Sequence, residues 1–161
     1  MSQATAFPDA VFDVLRSSSR SSQEDLNERV EREARRGEDL ASEQKRLDEI
    51  DAIVKLPQRY REKNWDGLDA APIPGAALQE ARTFLRKLPH YIRMPEVIAE
   101  PDGYLGLEWY TNKWLLYVVS FNGTGVLSCS GLIGSERIYG LRYMDEGIPA
   151  EILRNIAKVL Q

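Results

Sequence analysis

Glu108 is the acidic residue whose surroundings most resemble a site. In "GYLGLEWYT" (103–111) alternation puts Leu105, Leu107 and Trp109 on one sheet face, with Tyr104, Glu108 and Tyr110 on the other. The next run offers Trp114, Leu116 and Val118 against Leu115, Tyr117, Val119 and Phe121. Both faces are apolar, so one is expected to meet something beyond the chain's own helices. A carboxylate among Tyr104, Tyr110 and Tyr117 would suit protein recognition, where aromatics surround a fixed charge. The competing reading makes Glu108 a cross-strand partner for Arg137 or Arg142. A glycosidase-like pair would need a second carboxylate about 5 Å away. Asp102 would have to supply it, and nothing in the spacing brings the two together.

Other chemistry is sparse. The one histidine, His90, follows Pro89 at a predicted helix end, where the helix dipole accounts for it. No second histidine or nearby cysteine gives zinc spacing. Cys129, in "LSCSG", reads as a small buried hydrophobe rather than a nucleophile. There is no G-x-S-x-G, P-loop or dinucleotide fingerprint, and "GLIGSE" lacks the context to cradle phosphate. No catalytic residue, metal or cofactor is expected.

The bulk properties agree with a soluble chain of one domain and an extra element: 161 residues, 43% hydrophobic and 29% charged. No window reaches the roughly 18 apolar residues of a membrane helix. The amino terminus shows no secretory pattern, and a lone cysteine fits a reducing compartment, so a cytoplasmic location is the expectation. A formal charge of −4 makes nucleic-acid binding an unfavoured role. The densest basic run, "REARR" (32–36), is interleaved with acids and reads as a solvated helix face.

Charge also divides the chain. Residues 21–63 hold 10 Lys/Arg and 12 Asp/Glu with one aromatic, Tyr60. A segment so charged cannot surround a core, so residues 21–57 are expected to form a helical arm and 58–161 an α+β core domain. Ser21 and Ser22 precede Glu24 and Asp25 as a helix start, Pro57 stops the helix and Gly37 is a candidate break. The stripe Leu26, Val30, Ala34, Leu40, Leu47, Ile50, Val54 is thin, and its half from Leu47 onward is the part expected to touch the body. Residues 1–20 read as a flexible segment with an apolar island, "FPDAVFDVL" (7–15), tethered by the serine-rich run 17–22. Val11 and Leu15 on that island are candidates for docking a partner, and self-association through 22–56 is a further option.

The core is predicted as an antiparallel meander of four strands, with a fifth edge strand at 96–100. Two amphipathic helices, at 75–88 and 149–160, cover it. "NGTG" (122–125) marks one hairpin, Gly131/Gly134 a second turn, and Thr111-Asn112-Lys113 a third.

The loop "NWDGLDAAPIPG" (64–75) spends a large ring, Trp65, on a turn. One reading is an aromatic pin that fixes the entry to the core, with Asp66-Gly67 making the turn. The other has Trp65 and Asp66 lining a binding edge. Residues Asn64, Trp65, Asp66, Gly67, Pro72, Pro101, Asp102, Gly103, Leu107, Glu108 and Trp109 together resemble a recurrent family of small bacterial proteins, often encoded on mobile or phage-derived segments. The resemblance covers about residues 60–160 and departs at Leu68-Asp69 and Tyr104. It implies no catalytic residues. It points to toxin neutralisation or phage–host conflict, hence to a non-enzymatic protein-interaction module, antitoxin-like or inhibitor-like. The alternative is a small-molecule-binding or catalytic domain using the Trp65/Asp66 and Glu108/Trp109 region.

Overall fold

The computed structural model describes residues 9–145 and 147–161, and side chains from residue 23 onward. The chain separates into two compact units, Met1–Arg46 and Leu47–Gln161.

The first unit is helical. Helix α1 spans Asp9–Ile53, and its backbone passes without interruption through the serine-rich run and through Gly37. Neither the start expected at Ser21 nor the break at Gly37 occurs. Serine and a lone glycine each cost a helix interior only about 0.5–1 kcal/mol against alanine, too little to end a helix this long. Every described side chain from Gln23 to Lys45 is exposed. The ion pairs Glu28–Arg32 and Glu31–Arg35, both at 3.7 Å and spaced i,i+4, lie along it. Exposed pairs of this kind contribute a few tenths of a kcal/mol each.

The second unit starts at Leu47, ten residues before the expected limit of the arm. Ile50 and Val54 explain the shift: they are 1% and 4% exposed and belong to the core cluster. The apolar end of the stripe therefore joins the body, as its composition suggests. After a 3-10 turn at Gln58–Arg61 and the 62–74 loop come helix α2 (Gly75–Lys87), a five-stranded sheet and helix α3 (Ala150–Leu160). The strands are β1 (Glu96–Ala99), β2 (Leu105–Asn112), β3 (Leu115–Phe121), β4 (Val126–Ile133) and β5 (Glu136–Tyr143). They pair antiparallel in the order β1-β2-β3-β4-β5, the meander expected of successive hairpins, with the fifth strand present at the β1 edge.

One face carries the core. Leu105, Leu107 and Trp109 of β2 lie beside Tyr117, Val119 and Phe121 of β3 and Leu127 and Cys129 of β4. Helices α2 and α3 cover this face with Ala77, Ala81, Phe84 and Leu85 and with Ile152, Ile156 and Val159. Phe84 packs edge-on against Phe121 at 5.5 Å between ring centres and tilts against Trp109 at 6.4 Å. Each large apolar side chain sequestered here contributes about 1.5–3 kcal/mol of transfer free energy.

The turns tie the layers together. At the β3–β4 turn Gly123 has φ +86° and lies so close to α2 that a Cβ would come within 2.7 Å of the Ala76 methyl. No other residue fits both the left-handed backbone and that contact. The first hairpin turns at Lys113-Trp114 rather than one residue earlier. A bulge at Thr111 breaks the register between Tyr110 and Asn112, and the Asn112 side chain accepts the Trp114 amide at 2.9 Å. The bulged Thr111 hydroxyl donates to the Val159 carbonyl at 2.6 Å, satisfying one of the last carbonyls of α3.

Candidate partner-binding surface

The 62–74 loop is built around its own hydrogen bonds. Asn64 holds φ +62°, its amide donates to the Ala70 carbonyl at 2.7 Å, and its side-chain oxygen accepts the Asp69 amide at 2.7 Å. Asp66 turns one carboxylate oxygen inward to accept the amides of Leu68 (2.8 Å) and Ala70 (3.1 Å). Trp65 donates its indole N–H to the Ala71 carbonyl at 2.9 Å and stands edge-on to Tyr60 at 4.8 Å. Trp65 is thus an aromatic pin, half-buried, with its one polar atom already used. The structure places Trp65 and Asp66 in the architecture of the loop, and neither lines the hollow at Glu108.

The cluster expected around Glu108 is not assembled. Tyr117 pairs across the sheet with Trp109, not with Glu108, and is 1% exposed on the helix-covered face. Side-chain parity forces this: Glu108 lies opposite Val118 on β3 and opposite Glu96 on β1. Tyr104 precedes β2, where its hydroxyl accepts a hydrogen bond from Asn122 at 3.0 Å. Tyr110 is half-exposed and shares with Glu108, Glu96, Arg93 and Met94 a hollow of about 190 Å³. That is smaller than the roughly 300–1,000 Å³ of ligand sites. Neither basic residue proposed as a partner of Glu108 reaches it. Arg142 instead bonds Glu151 of α3, with Nε at 2.9 Å and Nη2 at 2.5 Å from the same carboxylate oxygen, and Arg137 lies on β5 opposite Leu132. Val11 and Leu15 lie on α1, and their side chains fall outside the described residues.

Tyr117 lies buried with Asn155 of α3 and Cys129 of β4, the two polar side chains that bear on its phenol. Burial pushes both the phenol and the thiol above their ordinary pKa values; the Tyr117 hydrogen bond and the nearby Arg142 partly offset this for Cys129. Such a thiol is a poor nucleophile.

The surface feature that stands out is the other face of the sheet. Tyr139, Leu141 and Tyr143 alternate along β5 and are 75%, 63% and 61% exposed. Their neighbours on β4 and β3, among them Leu132 and Leu116, continue the apolar character, and the serines Ser128 and Ser130 stand between them. On this face Val118 and Ser120 of β3 are themselves buried, so its open part is the β4–β5 side. The β5 residues were not among those singled out from sequence. Their signal is the two-residue alternation in "ERIYGLRY", which assigns a strand without saying which of its faces a helix covers.

A second concavity, about 580 Å³, lies where the end of α1 meets the start of α2 and is lined by Asp51, Lys55, Arg61 and Arg82. Arg82 is already paired with Asp51 at 3.0 Å. Among the described residues no helix is long and apolar enough to cross a membrane, and no three metal-ligating side chains converge. Comparison with family models, with curated proteins and with solved structures yields no match.

Proposed function

We propose that the chain is a non-enzymatic protein-interaction module, whose contact surface is the open β4–β5 side of that sheet face. The single observation that carries this reading is the row Tyr139, Leu141 and Tyr143, three large side chains more than half exposed on one rigid strand. Solvated monomers rarely leave such a row standing, and tyrosine-rich apolar patches on rigid elements are typical of interface centres. Exposed Leu26, Val30 and Leu40 on α1 supply a second, weaker apolar stripe for a partner or for another copy of the chain. An antitoxin-like or inhibitor-like role is the specific form we favour, in keeping with the resemblance of residues 60–160 to proteins of mobile elements. In that role the partner is a toxin or a phage or host factor.

The test is site-specific photo-crosslinking in the cells that make the protein. A photoreactive residue replaces Leu141 or Tyr143, with Leu68, 86% exposed on the 62–74 loop, as control. The expected result is a discrete adduct from the two sheet positions and none from Leu68. Equal, diffuse labelling at all three positions refutes the reading.

A further inference from the structure

We infer that β5 and α3 form a groove that accepts an extended segment of the partner as an added strand, with an acidic side chain of that segment turned toward α3. This rests on the protein-interaction reading and specifies how the partner is held.

The backbone argument comes from the last hairpin. Ile133 faces Glu136 across a two-residue turn, Gly134-Ser135, with Gly134 at φ +64°. In such turns the flanking pair exchanges both its hydrogen bonds, so Glu136, Ile138, Gly140 and Arg142 spend their backbone groups on β4. The N–H and C=O groups of Arg137, Tyr139, Leu141 and Tyr143 then point away from the sheet. β5 is the last strand, and among the described residues no other backbone segment pairs with it. Unlike β1, which has four residues, β5 offers eight.

Arg142 limits how much of that edge is open. Its Nη1 donates to the outward carbonyl of Leu141 at 2.8 Å while the rest of the guanidinium holds Glu151. The open stretch is therefore the opposite end of the strand, where Arg137 and Tyr139 present two donors and two acceptors. Beside that stretch lies a cleft of about 370 Å³ bounded by Glu136, Ile138, Glu151, Arg154, Asn155 and Lys158. A strand laid on the edge directs alternate side chains into this cleft, the arrangement by which extended peptides dock between an edge strand and a helix.

Charge selects the side chain. Arg154 and Lys158 line the α3 side of the cleft and have no carboxylate partner among the described residues, while the Arg137 side chain shares the outward face with Tyr139. Of the two local acids, Glu151 is already neutralised by Arg142. The remaining excess of positive charge favours a carboxylate on the incoming strand.

The probe is a blocked peptide of alternating threonine and valine with one central glutamate, set against its twin with a central lysine. Each is titrated to millimolar concentration against the full chain, and amide shifts and hydrogen exchange are read by NMR. The expected result is slowed exchange at the Arg137 and Tyr139 amides and about tenfold tighter binding of the glutamate peptide. Arg154→Glu with Lys158→Glu, both solvent-exposed positions on α3, should invert that preference with the melting temperature unchanged. Absence of protection at these two amides, or equal affinity for the twins, overturns the inference. So does protection that grows with protein concentration without peptide, which would assign the edge to a second copy. Crosslinking from Leu141 and Tyr143 can succeed while this fails, so the two readings are separable.

Discussion

The carboxylate of Glu80, on α2, accepts the backbone amide of Gly123 at 2.9 Å, and its second oxygen takes the amide of Gly125 at 2.5 Å. One helix side chain thereby satisfies two donors of the β3–β4 turn, the Thr124 amide between them going to Asn122, and ties helix to sheet. Charge-assisted bonds of this kind are worth about 1.5–3 kcal/mol. Glu80→Ala should lower unfolding free energy by about 2–3 kcal/mol in urea titrations, whereas Glu80→Gln, which keeps one acceptor, should lose about half as much. Equal losses would mean that the charge rather than a retained acceptor carries the contact, and no loss in either variant would refute it.

Where the body begins is open to a direct check. A chain starting at Leu47 retains Ile50 and Val54, and one starting at Pro57 lacks both. The shorter chain should melt at least about 3–5 kcal/mol less stable, since it leaves two vacated core positions. Calorimetry of the two truncations decides this, and indistinguishable melts would refute it.

Glu100 lies over Gly106, with its oxygen accepting the Ser120 hydroxyl at 2.6 Å. Burial holds its carboxyl above the ordinary range, an effect that the Ser120 hydrogen bond partly offsets and Asp102 slightly reinforces. In the folded state it therefore keeps its proton at pH values where the unfolded chain has released it. Its contribution to stability is fully present below the ordinary carboxylate pKa of about 4.3 and is lost as pH rises through the folded value. Glu100→Gln preserves the acceptor for Ser120 and removes that loss. Urea titrations from acid to neutral pH should show a flatter profile, with the variant at least as stable as the parent at neutral pH.

Cys129 is 4% exposed and its thiol is held protonated by burial. Alkylation should therefore follow the fraction of unfolded chain rather than solvent thiolate, accelerating through the urea transition. Tyr117→Phe removes the buried hydroxyl beside Asn155 and should cost about 1–3 kcal/mol, and thiol labelling should rise in proportion. Rapid labelling of the folded parent protein would contradict the burial argument.

Much of the fold was legible because it rests on local chemistry. Leu78, Ala81, Phe84 and Leu85 announce α2 at helical spacing, Ile152, Ile156 and Val159 announce α3, and Asn122-Gly123 announces a turn. What failed to show were the relations between elements. Tyr117 looked like a companion of Glu108 because alternation sorts residues within one strand but does not say which residue of the next strand stands opposite; that depends on the bulge at Thr111. Arg142 belongs to Glu151, nine residues on, because α3 folds back against the sheet, which spacing along the chain does not state. The start of the body was hidden by charge: Asp51 and Lys55 surround Val54 in a segment whose composition is that of the arm. Trp65 was half readable, since its role as a pin followed from the turn around it, while its bond to Ala71 depends on a fold-back six residues long.

Arg142 grips the Leu141 carbonyl on the free margin of the sheet. Sheets with bare margins recruit their own kind, rung upon rung, and end as fibrils. A guanidinium parked on that carbonyl, and moored to the neighbouring helix, works as a stopper. It leaves room for a short guest yet denies the long uninterrupted margin that endless stacking requires.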